Sequence, residues 1–236
     1  MLRLLFACFL TYALVACSTK GVSGQASTAS QQTSSSTTPG KIASEPGSTP
    51  KGTILYHTDW SHGLTGWQTT PNWHVVQGQL QVESNDITSI LLLYKPPVTN
   101  YAIEARIRVA HLLMQNGGHF TIFANKAAGR DGYEAGVSRL MGPGPKPNGS
   151  HPQAQIFINP MGSMSPGSFQ PIDYEPHTDW HTYRIEIENS QASFFIDGAP
   201  VGTANSDQTS VLSNGPIGLS SSEITLCVSS FTITAL

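Results

Sequence analysis

The chain has 236 residues, a formal net charge of −3 at pH 7, and only 11% charged residues. It has no basic run, and residues 53–236 hold eight Lys or Arg against fourteen Asp or Glu, which argues against nucleic acid as a partner. That segment is long enough to form one domain with a hydrophobic core.

The first sixteen residues have the pattern of an export signal. Arg3 supplies one positive charge, and residues 4–16 carry none. This apolar run is too short for a transmembrane helix, which needs about 20 residues. It ends in Leu14-Val15-Ala16-Cys17, which resembles the lipobox of bacterial lipoprotein precursors. The resemblance implies cleavage before Cys17, attachment of a diacylglycerol to its thiol, and acylation of the new N-terminus.

Residues 17–52 are predicted to be the lipidated cysteine and a disordered tether. Fifteen of residues 18–52 are Ser or Thr and none is aromatic, so this stretch cannot bury enough apolar surface to offset its ordering entropy. The alternatives are an ordinary cleaved signal and a buried N-terminal helix, with a cysteine at this position by chance. The order of signal, lipobox and tether favours a lipoprotein. We therefore expect the domain to lie outside the cytoplasm, at the cell surface or in the periplasm, held to a membrane by lipid.

From residue 53 onward the sequence alternates with a period of two. Tyr101, Ile103, Ala105 and Ile107 alternate with Ala102, Glu104, Arg106 and Arg108, as expected for a strand with one buried face. Tyr183–Glu188 follows the same pattern, and Gln77-Gly78 and Asp197-Gly198 predict hairpin turns. Further strands are predicted at 53–57, 73–76, 79–83, 89–94, 119–124, 133–138, 154–158, 193–196, 216–220 and 224–234. Ten to twelve short strands without helices predict an all-β, two-sheet antiparallel sandwich, or jelly roll.

A series of short motifs runs through nearly all of residues 53–236. They are Asp59-Trp60, Gly66-Trp67, Trp73-x-Val75, Gly78-x-Leu80, Tyr101-Ala-Ile-Glu-Ala-Arg106, Asp131-Gly-Tyr-Glu134, Trp180-His-Thr-Tyr-Arg-Ile185, Phe194-Phe-Ile-Asp-Gly198, Gly215-Pro-Ile-Gly-Leu219 and Val228-Ser-Ser-Phe-Thr-Ile233. The series resembles concanavalin A-like lectin/glucanase sandwiches, and within them the laminin G-like group and the bacterial 3-keto-disaccharide hydrolase domain. The motifs specify a fold better than a function.

Tryptophan side chains are candidate sugar platforms, because sugar rings stack on flat aromatic surfaces. Trp67 and Trp73 fall where the resemblance places core residues, and Trp180 precedes a strand, so we interpret these three as structural. Trp60, flanked by His57, Asp59 and His62, is the one candidate for a ligand-binding ring. Packing in the core is the favoured interpretation for Trp60 as well.

Two weak metal patterns are present. If residues 177–181 are extended, His177, Asp179 and His181 project from one face and could hold a transition metal. Asp59 with backbone carbonyls could hold a structural calcium ion. The spacing requires neither metal, and no other cofactor is predicted.

Catalytic carboxylates decide between an enzyme and a binding module. Retaining glycosidases need two carboxyl groups about 5–5.5 Å apart, and the Glu-x-Asp-x-x-Glu motif of family 16 glucanases is absent from the sequence. Glu134 matches the 3-keto-disaccharide hydrolase pattern and is the best polar site candidate. A charge at the edge of a strand is the alternative for this residue.

Loops rich in Gly, Pro, Met and Asn are predicted at 139–153 and 160–179. Loops carry the function of many sandwiches, and these two bring polar and aromatic residues toward one rim. The residues are Arg139, Lys146, His151, Phe169, Asp173, Tyr174 and Glu175. Arg139 and Tyr174 join Trp60 and Glu134 as candidate ligand-binding residues.

The sequence therefore favours a membrane-anchored module that binds a polysaccharide or other glycan without cutting it. The alternatives are a glycoside hydrolase of the 3-keto-disaccharide type that uses Glu134, and a laminin G-like module that binds protein. A protein-binding patch would be broader and more apolar than a sugar site.

The anchor prediction is tested by the Cys17→Ala variant. Without the thiol no lipid is attached, so the protein should move from the detergent-rich phase to the aqueous phase in a detergent partitioning assay. Wild-type protein that already partitions into the aqueous phase would contradict the lipoprotein interpretation.

Overall fold

A computed structural model of the chain describes residues 49–113, 117–142, 151–159 and 171–236. Cys17, Lys146 and Phe169 lie outside the described residues. In the described part of the chain, no helix is long and apolar enough to cross a membrane.

The described residues form fifteen strands and no helix. In chain order the strands are β1 Ile54–Thr58, β2 Trp67–Thr69, β3 Trp73–Val76, β4 Gln79–Ser84, β5 Thr88–Leu92, β6 Tyr101–Leu112, β7 Gly118–Ala124, β8 Tyr133–Leu140, β9 Gln153–Ile158, β10 Ile172–Asp173, β11 His181–Glu188, β12 Gln191–Ile196, β13 Ala199–Asn205, β14 Ile217–Ser222 and β15 Ile224–Ala235.

These strands form two antiparallel sheets. The eight-stranded sheet has the order β13-β12-β11-β6-β15-β4-β3, with β1 also paired to β15. The seven-stranded sheet has the order β10-β9-β8-β7-β14-β5-β2. Many sheet neighbours are distant in sequence, such as β14 between β5 and β7, which is typical of jelly rolls. The predicted two-sheet antiparallel sandwich is confirmed.

Three strands were not predicted. Strands β2 and β10 have three and two residues, too few to show alternation. Strand β13 has the sequence Ala-Pro-Val-Gly-Thr-Ala-Asn, whose composition does not favour a strand. It forms because the turn at Asp197-Gly198 returns the chain along β12, and both turn residues have positive φ, as type I′ turns require.

Side chains of alternate residues from both sheets form one core. Trp67 and Trp73 are buried in it, as predicted. Cys227 is also buried. Trp180 is half-buried at the start of β11, on the outward side of the eight-stranded sheet.

A polar contact joins the two sheets inside this core. The hydroxyl of Tyr101 on β6 donates to the carbonyl oxygen of Ser213 at 2.7 Å, and it lies 3.0 Å from the hydroxyl of Tyr133 on β8. Both rings are fully buried. Burial raises the pKa of both phenols above the ordinary value, so both stay neutral and act as hydrogen-bonding groups.

We expect the Tyr101→Phe variant to lose about 1–3 kcal/mol of unfolding free energy, because the Ser213 carbonyl and the Tyr133 hydroxyl lose a partner in the dry core. Tyr94→Phe is the matched control, since the Tyr94 hydroxyl has no hydrogen bond within the described ranges. Chemical denaturation measures both variants. Equal losses for the two would contradict a specific role for the contact.

Candidate functional site

Glu134 lies on the outward face of the seven-stranded sheet. Its neighbours Tyr133 and Ala135 are fully buried in the core, so strand alternation directs Glu134 to the opposite side. We call the outward residues around it, from β7, β8 and β9, the Glu134 face. Its members are Thr121, Phe123, Glu134, Gly136, Gln155 and Phe157.

Two phenylalanines flank Glu134 across the sheet. Phe123 on β7 and Phe157 on β9 are its direct cross-strand partners. Directly opposed Cβ atoms in antiparallel pairs lie about 4.5–5.5 Å apart, so the carboxyl group stands in a row between two aromatic side chains. Phe123 is 8% exposed, whereas Phe157 is half-buried and offers part of its ring to solvent. The row has the mixed apolar and polar character of a ligand site.

The environment of Glu134 changes its acidity. Burial raises the pKa of the Glu134 carboxyl above its ordinary value, and a hydrogen bond with the Thr121 side chain partly opposes the rise. A carboxyl group with a raised pKa can accept or donate a proton closer to neutral pH than an exposed one. Such a group, on a face lined by aromatic rings, is a candidate for ligand binding or for proton transfer.

A glycine next to this face allows the Phe123 ring to pack closely on the sheet. A Cβ at Gly218 on β14 would lie 2.7 Å from Cζ of Phe123 and 2.5 Å from the carbonyl oxygen of Ile90. The Phe123 ring therefore lies against the backbone of Gly218, which no larger residue would allow without a shift. The same ring comes close to Leu91, whose Cδ2 would be 3.0 Å from that Cβ.

A hydrogen-bonded turn fixes the start of β8. Asp131 is buried and its carboxylate accepts a hydrogen bond from Ser206 Oγ at 2.6 Å. The Gly132 carbonyl accepts from the Asn159 backbone N–H at 2.8 Å, and the Asn159 side chain accepts from the Gly132 N–H at 3.2 Å. The Asp131-Gly-Tyr-Glu134 motif thus holds Glu134 in register, and Asp131 itself points away from the Glu134 face into these contacts.

The predicted loop residues meet at a separate cavity. A cavity of about 840 Å³ opens at one end of the sandwich, between the ends of β6 and β8 and the segment around β10. It is lined in part by His151, Asp173, Tyr174, Glu175 and His177. The sequence predicted that His151 and residues 173–175 lie at one rim, and they line this cavity together.

Tyr174 connects this cavity to the core. Its hydroxyl lies 3.4 Å from the hydroxyl of Tyr183 on β11, and its ring packs edge-on against Tyr183. Burial raises the pKa of Tyr174. This residue therefore lines the cavity wall and is not part of the Glu134 face.

Two other candidate ligand residues lie outside the Glu134 face. Trp60 is 1% exposed and packs against Trp67 with ring centroids 5.4 Å apart, so the core interpretation is correct and Trp60 is removed as a candidate ligand-binding residue. The residue has a positive φ of 66°. Arg139 is exposed near the end of β8, about 17 Å along the strand from Glu134.

The metal patterns do not form clusters. His177 has a φ of 49° in a turn, so residues 177–181 are not extended and do not share a face as expected. His181 uses Nδ1 toward Asp197 Oδ2 at 2.6 Å and Nε2 toward the Pro176 carbonyl oxygen at 3.0 Å. In the described residues no group of three or more His, Cys, Asp or Glu is placed to hold a metal ion.

Asp59 caps a local turn. Its Oδ1 accepts hydrogen bonds from Ser61 Oγ at 2.6 Å and from the Ser61 backbone N–H at 3.0 Å. These hydrogen bonds, chiefly the one from the Ser61 side chain, lower the pKa of Asp59. The suggestion of calcium at this residue stays a prediction.

Sequence reasoning missed the neighbours of Glu134. Phe123 and Phe157 each lie between two core residues in their strands, and that alternation was a signal that they point outward. Their pairing with Glu134 depends on sheet order and register, which one sequence does not contain.

Residues 57–230 match the model of the 3-keto-alpha-glucoside-1,2-lyase-like domain, which is most of the chain. The chain belongs to this family. The family was expected from the resemblance that included Glu134. No curated protein sequence matches the chain.

Solved structures with the same fold include several carbohydrate-active proteins. The carbohydrate-binding module CBM66 from Bacillus subtilis has a TM-score of 0.53 at 17% identity, over 72% of this chain and 96% of the module. The endo-β-1,3-glucanase from Pyrococcus furiosus has a TM-score of 0.55 at 11% identity, over 78% and 94%. A pseudo β-1,3-glucanase of Mycobacterium tuberculosis has a TM-score of 0.54 at 12% identity, over 78% and 99%. At these identities the likeness establishes the jelly-roll fold.

The raised pKa of Glu134 predicts a pH-dependent stability difference. The folded chain holds the proton of the Glu134 carboxyl more tightly than the unfolded chain does. The contribution of this proton to the stability of the fold is therefore fully present below the ordinary pKa of 4.5 and is lost as the pH rises through the folded pKa. Protonated Glu resembles Gln in shape and charge. The melting temperature of Glu134→Gln minus that of the wild type should therefore be larger at pH 8 than at pH 4.

Glu188→Gln is the matched control, because Glu188 is an exposed carboxylate on the other sheet. Differential scanning calorimetry at both pH values compares the three proteins. A Glu134→Gln variant whose melting temperature falls relative to the wild type as the pH rises would contradict burial as the dominant influence on this carboxyl.

Proposed function

We propose that the Glu134 face binds a carbohydrate and that Glu134 makes the central polar contact. The observation that carries the proposal is the row Phe123, Glu134, Phe157, in which a carboxyl group with a raised pKa stands between aromatic side chains. Sugars present both apolar C–H faces and hydroxyl groups, so a site for them combines rings with hydrogen-bonding groups.

The residues of the face suit each part of such a ligand. The exposed part of Phe157 offers an apolar surface for the C–H face of a sugar ring. Glu134, Thr121 and Gln155 offer hydrogen-bond acceptors and donors for hydroxyl groups. Gly136 carries no side chain, and a Cβ at this position would clash with the backbone of Phe120 and Thr121, so β8 lies close against β7 beside these polar groups.

Cleavage of a 3-keto-glycoside is the second candidate function. A carbonyl at C3 acidifies the C2–H bond, so a single base can take the C2 proton while the C1–C2 double bond forms and the C1–O bond breaks. The raised pKa of Glu134 favours this candidate, because a stronger base accepts the proton more readily. The lyase-like family name is consistent with one-base elimination.

A retaining glycosidase mechanism fits less well. It needs a second carboxyl group about 5–5.5 Å from the first. In the described strands β7, β8 and β9, Glu134 is the only carboxylate on the Glu134 face. A single carboxyl suits binding or elimination better than double displacement.

The setting we propose for this domain is the outer side of a membrane. The sequence Leu14-Val-Ala-Cys17 and the Ser/Thr-rich residues that follow support a lipid anchor and a tether. A tethered binding face would keep the protein beside envelope or environmental polysaccharides.

Affinity electrophoresis of the full-length protein, in non-ionic detergent, tests the binding. Gels contain the β-1,3-glucan laminarin, the α-glucan dextran, or no polysaccharide. We expect retardation by at least one glucan, and a loss of affinity of about tenfold in Glu134→Gln, since a hydrogen bond to a charged group is worth about 1.5–3 kcal/mol. Phe157→Ala should weaken binding as well.

Two control variants have the same chemical changes on the other sheet. Glu188→Gln and Phe195→Ala alter outward residues of β11 and β12 and should leave retardation unchanged. Release of product from a 3-keto-α-glucoside, abolished by Glu134→Gln, would support the second candidate. Absence of both glucan binding and turnover would contradict the proposal and favour the protein-binding alternative.

A further inference from the structure

Two arginines and a tryptophan form a cluster on the outward face of the eight-stranded sheet. Arg106 and Arg108 are two residues apart on β6, and their neighbours Ala105, Ile107 and Val109 are buried, so both guanidinium groups project outward. Trp180 immediately precedes β11, the neighbouring strand. We call these three residues the Arg–Trp cluster.

The tryptophan ring contacts both cations. Cζ of Arg106 lies 5.1 Å from the centroid of the Trp180 ring, and Cζ of Arg108 lies 5.0 Å from it. Cation–π contacts of this kind hold guanidinium groups in place but do not neutralise their charge. The cluster thus concentrates two positive charges around one aromatic ring.

Three acidic groups of this face are engaged elsewhere. Glu104 and Glu186 both contact Arg184, at 3.4 Å and 2.9 Å. Asp197 accepts from the Thr182 backbone N–H and contacts His181. Among the described residues, no carboxylate lies within ion-pair distance of Arg106 or Arg108.

Arg108 also has an unmet hydrogen-bonding requirement. Its Nε is buried and has no acceptor in the described part of the chain. A buried donor without a partner destabilises a protein, and the effect is larger when the group is charged. The enclosed Nε is out of reach of solvent, so an anion would contact the accessible part of the half-buried Arg108 side chain and compensate its charge.

We propose that the Arg–Trp cluster binds the carboxylate groups of an acidic polysaccharide, that is, a chain of uronic acid residues. Guanidinium groups bind carboxylates through paired N–H donors. Two such groups on adjacent outward positions of one strand, about 7 Å apart, can contact carboxylates of a single chain. Arg106 is exposed, so a polymer reaches the cluster from solvent.

This site is independent of the Glu134 face. The two sites lie on the outward sides of different sheets, and the sandwich core separates them. A protein with both would contact neutral sugars on one side and an acidic chain on the other.

Binding of polygalacturonate to the full-length protein, in non-ionic detergent at 0.15 M NaCl, tests the proposal. We expect Arg106→Gln and Arg108→Gln each to weaken binding about tenfold, because each removes a charged donor from the carboxylate. Arg106→Lys keeps the charge but loses the planar fork, and should show an intermediate loss.

Arg130→Gln is the matched control. It removes the same charge from the loop between β7 and β8, outside the Arg–Trp cluster, so affinity should change less than about twofold. Glu134→Gln should retain full binding to polygalacturonate. This result separates the proposal from the function proposed for the Glu134 face.

Two further measurements keep the test decisive if a variant folds poorly. Circular dichroism identifies misfolded variants. In the wild-type protein, polygalacturonate should change the fluorescence of half-buried Trp180, and Trp180→Phe should abolish that change. No binding to polygalacturonate, equal losses in Arg130→Gln and Arg106→Gln, or equal binding of sulfated dextran through the same arginines would overturn the proposal.

Discussion

The shared core of the two sheets is the constraint on which the candidate sites depend. Every strand that contributes to this core must direct alternate side chains inward, and the residues between them then point outward. Burial of Tyr133 and Ala135 therefore fixes the direction of Glu134. The same rule applies to Arg106 and Arg108, which lie between buried residues of β6. Function on both faces is thus a consequence of packing between them.

The register of the seven-stranded sheet determines which residues surround the outward carboxylate of Glu134. Glu134 would be an ordinary surface charge if polar residues stood beside it. Because β7 and β9 place Phe123 and Phe157 opposite it, the carboxyl loses solvent and its pKa rises. The desolvation that makes the group useful also lowers the stability of the charged form, which is a common property of functional sites.

Much of the fold could be predicted from the sequence, because period-two alternation and turn residues are local signals. The hairpin at Gln77-Gly78 and the long strand from Tyr101 were predicted in this way. Sheet order, and with it the partners of Glu134, depends on contacts between distant segments. The positive φ of Trp60 and the contact of its ring with Trp67 are also visible only in the folded chain. The unpaired arginines beside Trp180 were missed for the same reason, since only the folded chain shows which acids are already engaged.

The most direct test of the central claim, that the Glu134 face binds carbohydrate, is a map of amide chemical-shift changes in the full-length protein during titration with a glucan that retards it. We expect the largest changes at Thr121, Phe123, Glu134, Gln155 and Phe157. Large changes confined to the eight-stranded sheet or to the cavity beside Tyr174, with none on the Glu134 face, would contradict it.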